Sequence, residues 1–181
     1  MEGNKFSFCP QCGSKNIETH RGGYKWVCPD CGFDLYCNVA SAVGLLIVTA
    51  EGKILFERRA KEPRRGKLAL PGGFTSPDES AEEAAVRECL EETGVSPKAV
   101  RYLCSFPNSY PYRGILYKTC DLFFTAELDA AAELHAQEQE VSAFEWIAVE
   151  SHAGIDALDL AFPSARKTLH CWLDQKTAKK G

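Results

Sequence analysis

Apolar and polar positions along the chain divide it into short extended runs and one long helical stretch. Tyr24 to Val27 reads as a brief strand. Asn38 to Thr49 is β-branched and apolar, and Lys53 to Arg59 alternates after a Glu51-Gly52 turn, so the two together predict a hairpin. Leu68 to Leu70 predicts a short strand leading into Pro71-Gly72-Gly73. The stretch that follows is rich in Ala, Glu, Leu and Arg, all good helix formers. Ser80 is placed to cap it, with Glu83 completing a capping box, and Gly94 to end it. Arg101 to Phe106 and Ile115 to Glu127 predict strands on either side of a Pro/Tyr loop, Pro107 to Tyr112. Val141 to Ala148 predicts another strand, and Pro163 to Asp174 a helix with Pro in its first turn. Gly154 to Leu160 has no clear period, and Lys176 to Gly181 reads as a loose tail. Mixed strands flanked by helices predict an α/β layered sandwich.

Composition narrows the class. A chain of 181 residues with 45% apolar and 25% charged positions is ordinary for a globular protein, with room for one domain and a small module. Its longest apolar run, Ala42 to Val48, is far short of the ~20 residues that a membrane helix needs. The opening MEGNKFSF lacks the apolar core of a signal peptide, so a cytoplasmic protein without a membrane partner is expected. The net charge of −4 gives no general case for nucleic-acid binding. Charge is local instead: Arg58, Arg59, Lys61, Arg64, Arg65 and Lys67 precede the acidic helix, an arrangement suited to an anionic substrate.

The cysteines point to a metal. Cys9-Pro-Gln-Cys12-Gly and Cys28-Pro-Asp-Cys31-Gly are near-identical knuckles, the chain's only internal repeat. In each, a Gly lets the backbone turn so that both thiolates face one ion. Four thiolates make a closed tetrahedral Zn²⁺ site, hence a structural one, and so short a segment needs the metal to fold. A zinc ribbon over residues 1–36 is the reading; a redox Cys-x-x-Cys would not need two copies. Cys37 is not counted as a ligand, and His20 is expected to be exposed. The ribbon's Lys and Arg are balanced by Asp and Glu, which argues against nucleic acid, although Tyr24 and Trp26 offer rings on which a base could stack.

Within the predicted helix Glu88, Glu91 and Glu92 stand at i, i+3 and i+4, so their carboxylates share a face and repel one another. Bound Mg²⁺ or Mn²⁺, hard cations that take oxygen ligands, would relieve that repulsion. For an arbitrary helix such a face is more often merely solvated.

The wider pattern decides between these. Gly73, five residues, Glu79, seven residues, then Arg87-Glu88-Cys89-Leu90-Glu91-Glu92-Thr93-Gly94-Val95 resembles the Nudix box without a gap. The one departure is Cys89, where that family carries Leu, Ile or Val, and Cys is small and apolar enough to pack there. The resemblance implies an α/β/α sandwich with a mixed sheet, here over residues 37–175 between the ribbon and a tail at 176–181. It implies hydrolysis of a nucleoside diphosphate linked to another group, by water attack on phosphorus. Glu88, Glu91 and Glu92 would hold the divalent ions, with the Gly73 carbonyl as a further ligand, while Arg87 would pair with Glu79 and fix the loop against the helix. Glu140, on a loop before the last strand, is the first candidate for general base, and Glu138 the second. Arg58 is expected to contact pyrophosphate, with Arg59 and Arg65 competing.

A four-Cys ribbon ahead of such a domain is similar to the NADH pyrophosphatase branch, which includes enzymes that remove NAD caps from RNA. That branch's downstream motif, Ser-Gln-Pro-Trp-Pro-Phe-Pro-x-Ser, is absent; Ser105-Phe106-Pro107-Asn108-Ser109-Tyr110-Pro111-Tyr112 has only its character. Pro111 stands where ADP-ribose pyrophosphatases carry a Pro, and Tyr112 near where diadenosine-polyphosphate hydrolases carry a Tyr. Tyr110 and Tyr112 are therefore expected to touch substrate, and a dinucleotide such as NADH or ADP-ribose is favoured because of the ribbon. The competing readings are a non-catalytic binding module and an RNA-end hydrolase, and a homodimer is compatible with the resemblance.

Overall fold

The computed structural model describes residues 6–129 and 131–178. The chain forms two units, Met1–Val39 with Ser109–Lys118, and Ala40–Asn108 with Thr119–Gly181.

The first unit holds β1 (Glu18–His20), β2 (Lys25–Val27) and β3 (Asp34–Tyr36), an antiparallel sheet in the order β1-β2-β3. The two Cys-x-x-Cys segments turn identically. Gly13 N–H donates to the Cys9 carbonyl and Gly32 N–H to that of Cys28, both at 2.9 Å, with φ of 75° and 77°. Only glycine takes such left-handed angles without cost. Trp26 on β2 is buried against Phe6, ring centroids 4.7 Å apart, and so is not available to stack a base; Tyr24 is exposed. His20 is exposed and bonds Glu18.

The same unit takes in the tip of a hairpin made by β7 (Lys98–Tyr112) and β8 (Ile115–Glu127). The Pro107–Tyr112 stretch is therefore strand, not loop. β7 lies at the edge of its sheet, where the missing N–H groups of Pro107 and Pro111 need not break a ladder on both sides. The turn is Arg113-Gly114 with φ of 46° and 80°, the doubly left-handed pair that joins twisted strands in two residues.

In the second unit β4 (Ala40–Ile47) runs parallel to β8, giving a mixed sheet in the order β4-β8-β7. A second sheet, β6-β5-β9, joins β5 (Lys53–Arg59) antiparallel to β6 (Leu68–Ala69) and to β9 (Val141–Ala148). The predicted β4–β5 hairpin does not form, and the two strands share only a bridge at Val48–Ile54. The reason lies in β4 itself, whose Val43 to Ile47 are buried on both faces. A strand covered on both sides belongs in the middle of a layered fold, next to a parallel neighbour.

Two apolar clusters fill the layers. Leu46, Ile54, Phe56, Leu169, Trp172 and Leu173 lie on the side of α3 (Pro163–Ala178). Leu45, Ile47, Leu55, Phe124, Ala85 and Cys89 lie on the side of α1 (Ala81–Thr93). Cys89 is fully buried, so it does the packing work of the aliphatic residue it replaces. The α1 ends are as predicted: Ser80 Oγ accepts from Glu83 N–H, the Glu83 carboxylate accepts from Ser80 N–H, and Gly94 closes the helix at φ 73°. Two departures concern the C-terminal part. His152–Ala157 forms a short α2 where no period was evident, and α3 continues through Lys176 to Ala178; residues 179–181 of the expected tail lie outside the described residues.

Candidate active site

The site forms where the segment after β6 crosses β4 and enters α1. Backbone bonds seat it: Leu45 N–H donates to the Pro71 carbonyl and Val43 N–H to that of Gly73, both at 2.8 Å. Gly72 has φ 147°, and a Cβ there would lie 2.1 Å from the Val43 carbonyl oxygen, so only glycine lets the two backbones approach. Gly72 N–H donates to Glu92 Oε2 at 2.7 Å. Gly73 packs so closely on the Glu88 side chain that a Cβ would stand 2.6 Å from its carboxyl atoms.

Arg87 ties this segment to the helix. Its Nε and Nη2 donate to the two oxygens of Glu79 at 2.9 and 2.6 Å, and Nη2 also donates to the Phe74 carbonyl at 3.1 Å. Its Nη1 reaches Glu88 at 2.8 Å and Glu91 at 3.1 Å. Those bonds, with one from Ser76 N–H, hold the Glu79 carboxyl down to about 2. The bidentate fork needs a guanidinium, because an ammonium cannot present two parallel donors.

The three helix carboxylates have different surroundings. Glu92 is 6% exposed, and burial, then the charge of Glu57, push its pKa well up against the pull of Gly72 N–H. Burial also raises Glu88, with Arg87 opposing. Glu91 is half exposed at the Arg87 side.

Glu57 joins them from the sheet, and sequence reasoning missed it. It lies on β5 with Leu55 and Arg59 on one face, and Leu55 packs in the α1-side cluster. Glu57 is 4% exposed, hydrogen-bonds the Glu92 carboxyl, and has a buried Oε1 without a partner among the described residues. The available signal was a single charge at the end of the run Ile54-Leu55-Phe56. Arg58 falls on the opposite face, where Nε bonds Glu145 at 2.8 Å and Nη1 the Gly66 carbonyl at 2.6 Å. Its guanidinium is thus engaged by Glu145 and Gly66 on the side away from α1. Arg59 shares the face of Glu57; its Nε donates to the Pro63 carbonyl at 2.9 Å, and its Nη2 is buried without a partner among the described residues.

Glu140 arrives by way of the α1 C-terminus. His135 N–H donates to the Thr93 carbonyl at 2.8 Å and Gln137 N–H to that of Glu92 at 3.2 Å, satisfying acceptors that a helix end leaves open. This brings the loop alongside, and the charge of Glu140 adds to the upward shifts of Glu57, Glu88 and Glu92. Glu140 also pairs with Lys61. Tyr110 and Tyr112 stand in the first unit, ring centroids 6.3 Å apart, with Arg113 5.3 Å from the Tyr112 ring.

Two donor sets fit metals of different kinds. Cys9, Cys12, Cys28 and Cys31 place all four sulfurs within 4.8 Å of one another, with Cys9–Cys31 at 3.6 Å and Cys12–Cys28 at 3.8 Å. A tetrahedron of sulfurs about 2.3 Å from zinc has edges of about 3.8 Å. Glu88, Glu91, Glu92, Glu57 and the Gly73 carbonyl offer hard oxygens suited to Mg²⁺ or Mn²⁺, and the orphaned Glu57 oxygen lacks any other partner among the described residues. The Gly73 carbonyl already accepts from Val43, leaving one lone pair. Among the described residues only the cysteines bring three ligand atoms within 4.8 Å, so the carboxylates are the looser set.

Comparison with known proteins agrees with this geometry. The chain is 30% identical over 173 residues to an NAD-capped RNA hydrolase of Schizosaccharomyces pombe, covering 84% of this chain and 46% of that protein. It is 30% identical over 164 residues to the NAD-capped RNA hydrolase NudC of Deinococcus radiodurans, covering 90% of this chain and 55% of that one. The chain thus spans about half the length of the curated relatives it matches. A crystal structure of a NUDIX hydrolase from Nitrosomonas europaea superposes with a TM-score of 0.70 at 25% identity, covering 96% of this chain and 93% of that one. No helix among the described residues is long and apolar enough to cross a membrane. Residues 39–172 match the NUDIX domain, and the chain belongs to that family.

Proposed function

We propose that this chain hydrolyses the pyrophosphate bond of a nucleoside diphosphate joined to a second group, with a dinucleotide such as NADH or ADP-ribose as substrate. The observation that carries this reading is the Arg87–Glu79 fork, which locks the Gly72-Gly73 segment beside the carboxylates of Glu88, Glu91 and Glu92.

Those three carboxylates and the Gly73 carbonyl would hold Mg²⁺ or Mn²⁺, and the four cysteines a structural Zn²⁺. When bound, the divalent ions neutralise phosphate charge and lower the pKa of water. The protein's own part is positioning. Arg87 touches no substrate; it keeps the loop and helix in register. Arg59, whose Nη2 has no partner among the described residues, would meet a phosphate oxygen. Glu140 takes a proton from the attacking water as its oxygen bonds to phosphorus and the anhydride P–O bond breaks, with Glu138 second in line. Tyr110 and Tyr112 supply rings on which a base or nicotinamide stacks.

A second reading, an NAD-capped RNA as substrate, draws on the names of the relatives from Schizosaccharomyces pombe and Deinococcus radiodurans and on one feature of the ribbon. Tyr24 and Tyr36 are exposed there, with Lys25 4.8 Å and Arg21 5.7 Å from the Tyr36 ring, a cation and aromatic pairing suited to single strands.

Incubation with NADH, ADP-ribose, a diadenosine polyphosphate, dGTP and an NAD-capped RNA, each with Mg²⁺ or Mn²⁺, tests both readings. Cleavage of NADH or ADP-ribose is the expected result, and preference for the capped RNA would favour the second reading. No turnover of any would leave a binding module.

A further inference from the structure

Glu57 is an unfavourable residue for its place in the sheet. Its neighbour on the same face, Leu55, packs among Val43, Leu45, Ala85 and Cys89, and an aliphatic residue would continue that layer. Instead a buried carboxyl faces Glu92, also buried, and lies within electrostatic reach of Glu88 and Glu140. Burying one such group without a partner costs several kcal/mol, and placing acids together compounds the cost. Arg59, whose charge favours the Glu57 anion, does not offset this by a hydrogen bond: its Nε is given to the Pro63 carbonyl, and its Nη2 has no partner among the described residues. Glu57 Oε1 likewise has none among the described residues.

A buried oxygen with no partner among the described residues, on a carboxyl that lies beside Glu92, has the properties of a cation ligand. We propose that Glu57 is a direct ligand of a divalent cation held by α1, contributed by the sheet and lying outside the glycine-to-valine pattern that contains Glu88, Glu91 and Glu92. The inference rests on the reading of that helix as a divalent-ion site. The strand makes such a ligand more rigid than one on a loop: β5 is bonded on both sides, to Ala69 of β6 and Phe144 of β9 at Glu57 itself. The helix supplies the other carboxylates, so the ion would join the α1 layer to the sheet beneath it.

The test compares the full zinc-loaded chain with Glu57→Gln and Glu57→Leu. Mn²⁺ is titrated in while the electron paramagnetic resonance signal of the free ion is followed, and thermal unfolding is recorded with and without Mn²⁺. The native chain should bind Mn²⁺ saturably. Both variants should bind it at least about tenfold more weakly, since even indirect partners of metal ligands are worth that much. Without Mn²⁺ they should melt at or above the native temperature, because a buried acid facing another has been removed. Superimposable binding curves would overturn the role of Glu57 alone. Loss of the fold in both variants, or a lower melting temperature without Mn²⁺, would overturn it in favour of a structural acid. If the native chain shows no saturable Mn²⁺ binding, the reading of the helix falls and this one with it.

Discussion

Two neighbouring glycines should respond to alanine in opposite ways. At Gly73 the backbone is not in a left-handed region, and the atoms that an added methyl would meet are the carboxyl end of Glu88 at 2.6 Å. That end can swing away, and to regain ordinary contact at 3.4 Å it must retreat by about 0.8 Å. Stability should change by no more than about 1 kcal/mol, since alanine also removes conformational freedom from the unfolded chain. Activity should fall on the order of 10²-fold in kcat, because misplacing a group at a reacting centre by ~1 Å has that effect. At Gly72 the methyl would sit 2.1 Å from the Val43 carbonyl oxygen and 2.8 Å from Gly44 Cα, both backbone, at φ 147°. Strain and overpacking together make that variant less stable by about 3 kcal/mol or more, roughly 6–12 °C in melting temperature for a domain of this size. Melting curves and turnover of the substrate that the panel identifies, run on both variants, give the comparison. A Gly73→Ala chain with native kcat would show that the Glu88 carboxylate has no part in the reaction. One that melts as low as Gly72→Ala would show that the segment cannot relax as argued.

Two other outcomes follow from the same geometry. The Glu79 carboxyl is held at about 2, below its ordinary 4.5, so the stabilisation it gives as an anion is complete above pH 4.5 and lost as pH falls toward 2. The gap in melting temperature between the native chain and Glu79→Gln should stay constant from about pH 8 to pH 5 and close below that; a gap already closing at pH 6 would contradict the Arg87 fork. For the ribbon, metal analysis should find one zinc per chain, and chelation should speed amide exchange in Lys25–Val27, since thiolate sites of this kind supply the folding energy of small modules. Exchange rates unchanged in chelator would remove the zinc.

What was legible in the sequence was what is settled locally. The ends of α1 depend on Ser80, Glu83 and Gly94, all within reach of the turns they close, and the knuckles on residues four apart. The partner of β4 depends instead on what covers its second face, a matter decided by α3 more than a hundred residues away. The Pro107–Tyr112 stretch was hidden for a similar reason: prolines argue for a loop unless the strand is known to be an edge. Glu57 required knowing which face of β5 meets α1, because a strand of period two offers either face equally until its neighbours are placed. The same knowledge separates Arg58 from Arg59, adjacent in sequence and opposite in space.

The loop donors that close α1 impose a rule on how this protein can vary. Because His135 and Gln137 are pinned to the last carbonyls of the helix, the spacing from there to Glu140 works as a fixed ruler. Residues inserted between His135 and Glu140 would move the acid away from its neighbours, and those placed ahead of Gln137 would also draw its donor off the helix. Diversity in this connection should therefore collect ahead of His135, where the chain can grow without moving Glu140.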